Sequence, residues 1–286
     1  MSVMREYYPK AFGGKYKLSV ERFSSATEIT DTSNRRNITD DDFRYEFNRD
    51  ELDEKFNGVP SWEKACDLLH KGYATVVPKL QNRIEMTAKG EGVKTAFRND
   101  VVGFAPVVPL AMMGVPNSMV NTYRKPIRNK VLNIYYDRTA LANRSQRQIE
   151  DTAVKFVSTL IDLEMQGYRF NLTVVKTQAD SKDADMLMLK IKDANAPLDL
   201  QRMTYPLVHT AFARVTCWDW YSRCPIARYR GGFGHNLSIE KTNEQIQNAI
   251  EEITGEKCIY FSLEDMINKP EHYIKDRILD ANKRYA

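Results

Sequence analysis

The sequence predicts an α/β protein with a mostly parallel sheet flanked by helices and an irregular N-terminal extension. Two observations beyond residue 130 predict this class. Short apolar runs, some with a two-residue period, indicate strands, and apolar residues spaced three and four apart indicate amphipathic helices between them. Strands and helices that alternate along a chain form a layered α/β fold. The 286 residues include 42% apolar residues, which is enough for a sizeable core.

The predicted domain organisation has three parts. They are a charged N-terminal extension (1–60), a helix with a Pro/Gly-rich apolar segment that packs on the main body (61–130), and an α/β domain (131–286). The extension is assigned because the run over 30–58 is polar and lacks regularly spaced apolar residues. Such a segment must lean on the rest of the chain for its packing.

The second part begins with one clear helix. Ser61 is suited to cap its N-terminus and Gly72 to follow its end, which predicts a helix over 61–71. The later segment 101–120 is strongly apolar, but its prolines and glycines exclude a long regular element. We therefore expect it to pack onto a face of the domain or onto a partner.

The elements of the α/β domain follow in order from their spacing. The run VLNIYYD at 131–137 indicates a buried strand, and the apolar positions from Ile149 to Leu163 predict one face of a helix over 146–166. The remaining predicted elements are strands at 168–174, 186–191 and 257–261, a helix from Asp199 to Tyr221 interrupted at Pro206, a helix from Thr242 to Gly255, a short helix from Ser262 and a final helix from Pro270.

Charge and composition exclude several classes of protein. The net charge of +4 is too mild for a histone-like protein. No apolar stretch approaches the roughly 20 residues that span a bilayer, and the N-terminus lacks the apolar core of a secretory signal. The four cysteines, at 66, 217, 224 and 258, fit neither a zinc ribbon nor a thioredoxin-type pair. We therefore expect a cytoplasmic protein with reduced thiols and no membrane partner.

A candidate metal site follows the first strand of the domain. Asp137 ends that strand, and Thr139 and Ser145 lie in the loop after it. A carboxylate with hydroxyls offers the hard oxygen ligands that Mg²⁺ prefers. Ligands also bind beyond the carboxyl ends of strands in open α/β sheets. These three residues are therefore the metal-site candidates.

The order of strand, Asp, hydroxyl-bearing loop, long helix, Gly and second strand resembles the opening of a von Willebrand factor A-type domain. The motif of that family, Asp-x-Ser-x-Ser, stands here as Asp-Arg-Thr-Ala-Leu over 137–141. The resemblance implies a metal site, and Leu141 with the cationic Arg138 implies a degenerate one. We predict no cofactor, with Mg²⁺ as the alternative.

A second resemblance covers about 60–215. The segments SWEKACDLLHKGY, GVPNSM and PLVHTAFAR resemble those of an uncharacterised family common in bacteriophages and related mobile elements. This resemblance implies a viral origin, and hence the host cytoplasm as the location. It implies no activity.

No catalytic constellation is legible in the sequence. P-loop, Rossmann, nucleophile-elbow and HExxH motifs are all absent, so an enzyme is not predicted and no catalytic residue is assigned. His209, with Arg214 nearby in the same predicted helix, is a candidate anion contact or general base. The alternative for His209 is a hydrogen-bonded structural histidine.

A strip rich in arginine and aromatic residues covers 212–236. Its candidate site residues are Arg214, Trp218, Trp220, Arg223, Arg228, Tyr229, Arg230 and Phe233. Such residues form protein interfaces or bind single-stranded nucleic acid, or else the tryptophans fill the core. The functional hypothesis is a phage-encoded, non-enzymatic protein acting through protein–protein interaction or self-association. Nucleic-acid binding in phage replication or transcription through this strip is the alternative.

Overall fold

The structure is a computed structural model, and it describes residues 3–35, 47–87, 93–126, 131–141, 143–179, 182–196, 199–222, 236–270 and 272–284. The strands are β1 (Arg5–Tyr7), β2 (Lys17–Phe23), β3 (Val93–Asp100), β4 (Ala105–Pro106), β5 (Met119–Pro126), β6 (Val131–Asp137), β7 (Arg169–Ala179), β8 (Asp183–Lys192) and β9 (Cys258–Ser262). They form one sheet of six strands and one of three strands.

The helices surround the larger sheet or connect its strands. They are α1 (Ala26–Arg35), α2 (Glu54–Asn57), α3 (Trp62–Lys71), α4 (Val77–Thr87), α5 (Val108–Met112), α6 (Gln146–Met165), α7 (Leu200–Val208), α8 (Cys217–Ser222), α9 (Leu237–Glu240), α10 (Asn243–Thr254), α11 (Leu263–Met266) and α12 (His272–Arg284). Short 3₁₀ turns occupy Lys10–Phe12 and Ala74–Val76, and a π-helix occupies Phe212–Thr216. None of the described helices is long and apolar enough to cross a membrane.

The larger sheet has the strand order β1-β2-β8-β7-β6-β9. Its neighbours are parallel at β2/β8, β7/β6 and β6/β9 and antiparallel at β1/β2 and β7/β8. The predicted α/β class with a mostly parallel sheet is therefore confirmed. Because β6, β7 and β9 run in the same direction, their carboxyl ends meet at one edge of the sheet.

Helices cover both faces of this sheet. On one face α6 contributes Phe156, whose ring stacks on Tyr136 with centroids 4.3 Å apart. On the other face α10 buries Ile246 and Ile250. Both helices begin at capping boxes, formed by Ser145 with Gln148 and by Thr242 with Gln245. In each box a side chain satisfies a backbone N–H that the first helical turn leaves without a partner.

The first 60 residues contribute two strands to this sheet, whereas the sequence boundary begins the α/β domain at Val131. Strand β2 lies parallel to β8, with Val20 opposite Met186. Strand β2 was not predicted from the sequence, because Glu21 and Arg22 interrupt its apolar run. Glu21 is nevertheless fully buried, and its carboxylate accepts a 2.6 Å hydrogen bond from the Trp220 indole.

The helical segment after residue 199 breaks at a different place from the predicted interruption at Pro206. Pro206 lies inside α7, and the helix ends at Val208. The Nδ1 atom of His209 accepts a 3.1 Å hydrogen bond from the backbone N–H of Ala211. That side chain supplies an acceptor where a continuous helix would use a carbonyl, so the chain turns there and resumes as a π-helix.

The smaller sheet is formed by β3, β5 and β4 in that order. We call residues 93–126, which include this sheet and α5, the arm. Strands β3 and β5 pair antiparallel from Val93 opposite Pro126 to Asp100 opposite Met119. As predicted, the segment 101–120 contains no long regular element. Strand β4 has two residues and α5 has five, and Pro109 lies in the first turn of α5, which tolerates proline.

Candidate functional site

The carboxyl ends of β6, β7 and β9 place three polar residues, Thr139, Thr177 and Tyr260, around Asp137. Its Oδ1 accepts a 2.7 Å hydrogen bond from the Thr139 backbone N–H. Its Oδ2 accepts hydrogen bonds from the Tyr260 hydroxyl at 2.6 Å and from the Thr177 hydroxyl at 3.3 Å. Asp137 is buried, which raises the pKa of its carboxyl, while the hydrogen bonds from Thr139 and Tyr260 oppose that rise.

The structure brings together two of the three predicted metal ligands. The Thr139 hydroxyl lies 3.2 Å from that of Thr177, so it belongs to the same network as Asp137. Ser145 is exposed and instead caps α6, accepting a hydrogen bond from the backbone N–H of Gln148. In the described ranges no three His, Cys, Asp or Glu side chains form a group that could hold a metal ion. Mg²⁺ binding at Asp137 stays a prediction.

Arg138 hydrogen-bonds to residues outside this network. It is fully buried, and its Nη2 donates hydrogen bonds to the backbone carbonyls of Val208 at 3.2 Å and His209 at 3.1 Å. Burial, together with the charge of Arg138, lowers the pKa of His209 to about 4. The imidazole is therefore neutral at pH 7, with its Nδ1 occupied as an acceptor. This favours the structural alternative for His209, and an anion contact there stays a prediction.

The described residues of the arginine–aromatic strip lie inside the fold. Arg214 is buried and donates to the carbonyls of Phe56 at 2.7 Å and Arg144 at 2.9 Å. Trp220 is buried in the core, and Trp218 is half-buried with its ring centroid 5.7 Å from that of Phe56. The other five candidates, Arg223, Arg228, Tyr229, Arg230 and Phe233, lie outside the described residues.

Sequence reasoning missed Lys176, Thr177 and Tyr260 as members of the site. Register places them there, because Asp137 lies opposite Val175 of β7 and Ser262 of β9. The predicted strand ended at 174, just before Lys176. One signal in the sequence could have identified Lys176: it directly continues the apolar run FNLTVV, and a lysine in a buried strand is rare unless it has a partner.

The arm exposes an unusual amount of apolar surface. Seven of the eleven large exposed hydrophobic residues in the described ranges belong to it: Phe97, Val101, Val102, Phe104, Val108, Met112 and Met113. Met112 and Met113 are 84% and 76% exposed, and the rings of Phe97 and Phe104 lie 6.3 Å apart. Scattered exposed hydrophobic residues are ordinary, but a concentration of them marks an interaction surface.

A family model described as a domain of unknown function, DUF7192, matches residues 6–272. The chain belongs to the DUF7192 family. The match includes the arm and the Asp137 network, so both features lie within the DUF7192 region. The prediction of an uncharacterised family is confirmed at this level. No curated protein and no solved structure matches this DUF7192 chain.

Proposed function

We propose that this DUF7192 chain is a non-enzymatic protein that acts by self-association through its arm. The observation that carries the proposal is the concentration of exposed apolar side chains between Phe97 and Met113. Burial of apolar surface releases about 25 cal/mol per Å², so side chains of this size favour a partner over water. Their removal from water supplies the driving force for association.

The edge of the arm favours a second copy of the chain as the partner. In the described residues β3 pairs on one side with β5 and has no neighbouring strand on its other side. An edge strand presents unpaired backbone N–H and C=O groups, which form a template for pairing with another strand. Two identical strands that pair antiparallel are related by a twofold axis, which is the commonest symmetry of homo-oligomers. We therefore propose a dimer in which the two β3 edges meet.

Light scattering coupled to size-exclusion chromatography tests this dimer. Wild-type protein should elute at twice the chain mass of 33.1 kDa. Phe97→Glu with Met112→Glu should produce a monomer at the same concentration, because charges would enter the apolar contact. The variant monomer should remain folded by circular dichroism, since both side chains are exposed in the single chain.

Ile239→Glu is the matched control, because Ile239 on α9 is 52% exposed but lies outside the arm. This variant should remain dimeric. A wild-type protein that stays monomeric at hundreds of micromolar would overturn the proposal, as would an arm variant that dimerises as well as wild type.

The alternative proposal is nucleic-acid binding in phage replication or transcription. Its support is the sequence of the strip beyond α8, in which arginines alternate with aromatic residues over 223–233. Arg228→Ala with Arg230→Ala should reduce retention of a single-stranded oligonucleotide at low salt, and added salt should weaken wild-type binding. Binding that is unaffected by both changes would exclude this alternative.

We also propose that the chain is encoded by a bacteriophage or related mobile element and acts in the host cytoplasm. The support is the set of segments SWEKACDLLHKGY, GVPNSM and PLVHTAFAR. We further propose that the chain resembles a von Willebrand factor A-type domain. The support is the order of β6, the Asp137 loop, α6 and parallel β7. Gene neighbourhood tests the origin: adjacent capsid, portal or replication genes are expected.

A further inference from the structure

Three cationic side chains line one small cavity beside the Asp137 network. They are Arg138, Lys176 and Arg214, and each is at most 6% exposed. Arg138 begins the loop after β6, Lys176 lies near the end of β7, and Arg214 lies in the π-helix before α8. Residues from three separate elements therefore direct positive charge to one place.

None of these three side chains forms a salt bridge with a described residue. Arg138 and Arg214 bond instead to backbone carbonyls, and the Lys176 ammonium lies 3.4 Å from the carbonyl of Thr177. The nearby carboxylate, Asp137, is held by its own hydrogen bonds. Burial lowers the pKa of Lys176 to about 8. The charge of Asp137 opposes this fall, and the charges of Arg138 and Arg214 add to it.

Several donors of residues that line the cavity have no hydrogen-bond partner within the described part of the chain. They are the Nε and Nη1 atoms of Arg138 and the hydroxyl of Thr210, which also lines the cavity. Thr210 and Arg138 are each 1% exposed, so bulk water does not satisfy them. Buried donors without partners are rare in native proteins, and for a charged group the cost is higher than for a neutral one.

We propose that this cavity binds a small anion, which contacts Arg138, Lys176, Arg214 and Thr210. The cavity volume of about 10 Å³ admits one atom of the size of a water oxygen. The ligand is therefore a halide ion, or an oxyanion that inserts one of its oxygens. An anion there would accept hydrogen bonds from the unsatisfied donors, as a water molecule also does. In addition it would balance the positive charges, which a water molecule cannot do.

Crystals soaked in sodium bromide provide the direct test. Bromide scatters anomalously, and an anomalous peak should lie within hydrogen-bonding distance of Arg138 and Thr210. In solution, sodium chloride or bromide should raise the Tm relative to sodium gluconate at the same ionic strength. Sodium phosphate is a further test condition. A rise in Tm with phosphate alone identifies an oxyanion, and a rise in Tm with halide alone identifies a halide.

Two variants separate anion binding from a general salt effect. Thr210→Val keeps the side-chain shape but removes the hydroxyl, so the affinity for the anion should fall about tenfold. Thr152→Val is the matched control, because the Thr152 hydroxyl on α6 bonds to the carbonyl of Gln148 and should not affect the anion. Lys176→Met should abolish the anion-dependent rise in Tm.

The proposal is overturned by a cavity without a bromide peak together with equal Tm values in halide, phosphate and gluconate. It is also overturned if Thr210→Val responds to the anion as strongly as wild type and the control Thr152→Val do. Because neither substitution touches the arm, these outcomes are independent of whether the chain dimerises.

Discussion

Trp220→Ala is expected to lower the free energy of unfolding by about 4 kcal/mol. Trp220 is 1% exposed and is the largest fully buried side chain among the described residues. Its ring meets that of Phe23 edge-on, with centroids 6.4 Å apart, so it joins α8 to strand β2. The substitution leaves a cavity and takes a hydrogen bond from the buried carboxylate of Glu21.

Urea denaturation followed by circular dichroism measures this loss. Trp218→Ala is the matched control, because Trp218 is only half-buried and its removal should cost about half as much. Trp220→Phe separates the two contributions, since it keeps most of the packing but removes the N–H donor. Equal losses for the Trp220 and Trp218 alanine variants would contradict the central role of Trp220.

Arg49→Met is expected to lower the free energy of unfolding by about 3 kcal/mol. The Nε and Nη2 atoms of Arg49 donate to the two carboxylate oxygens of Asp219 at 2.7 and 2.8 Å. Asp219 is fully buried and also accepts a hydrogen bond from Ser33. Removing the guanidinium therefore takes two charge-assisted hydrogen bonds from a buried carboxylate, which costs far more than the loss of an exposed pair.

Thermal or urea unfolding of a small set of variants tests this pair. Arg49→Lys retains the charge but not the two parallel hydrogen bonds, so an intermediate loss is expected. Arg147→Ala breaks the exposed pair with Asp151, outside the arm, and should leave the unfolding free energy unchanged within error. Adding 1 M salt should not reduce the effect of Arg49→Met. A loss that disappears in salt would indicate a surface interaction instead.

Local signals predicted the elements whose causes are local. The capping residues Ser145 and Thr242 and the apolar spacing of the helices that follow them identified α6 and α10, and the run at 131–137 identified β6. These features depend on neighbours within one or two turns, so a single sequence contains them in full.

The parts that were missed depend on pairing between distant residues. Glu21 makes β2 look unsuited to a sheet interior until Trp220 supplies its partner, 199 positions away. Tyr260 reaches Asp137 across 123 positions because the register of β9 with β6 places it there. Lys176 is recognisable as part of a cationic cluster only when the fold places it beside Arg138 and Arg214. No local sequence pattern predicts these contacts, because they form between residues that are far apart in the chain.

The pairing of β2 with β8 has a consequence for the protein while it is synthesised on the ribosome. Tyr16 bonds to the carbonyl of Asp183, 167 positions later in the chain. At the usual pace of translation β2 emerges roughly ten to thirty seconds before its sheet neighbour exists. Throughout that interval Leu18, Val20 and Phe23 have no strand to cover their flank. The β2 segment of the nascent chain therefore stays unpaired on its β8 side until that strand is synthesised.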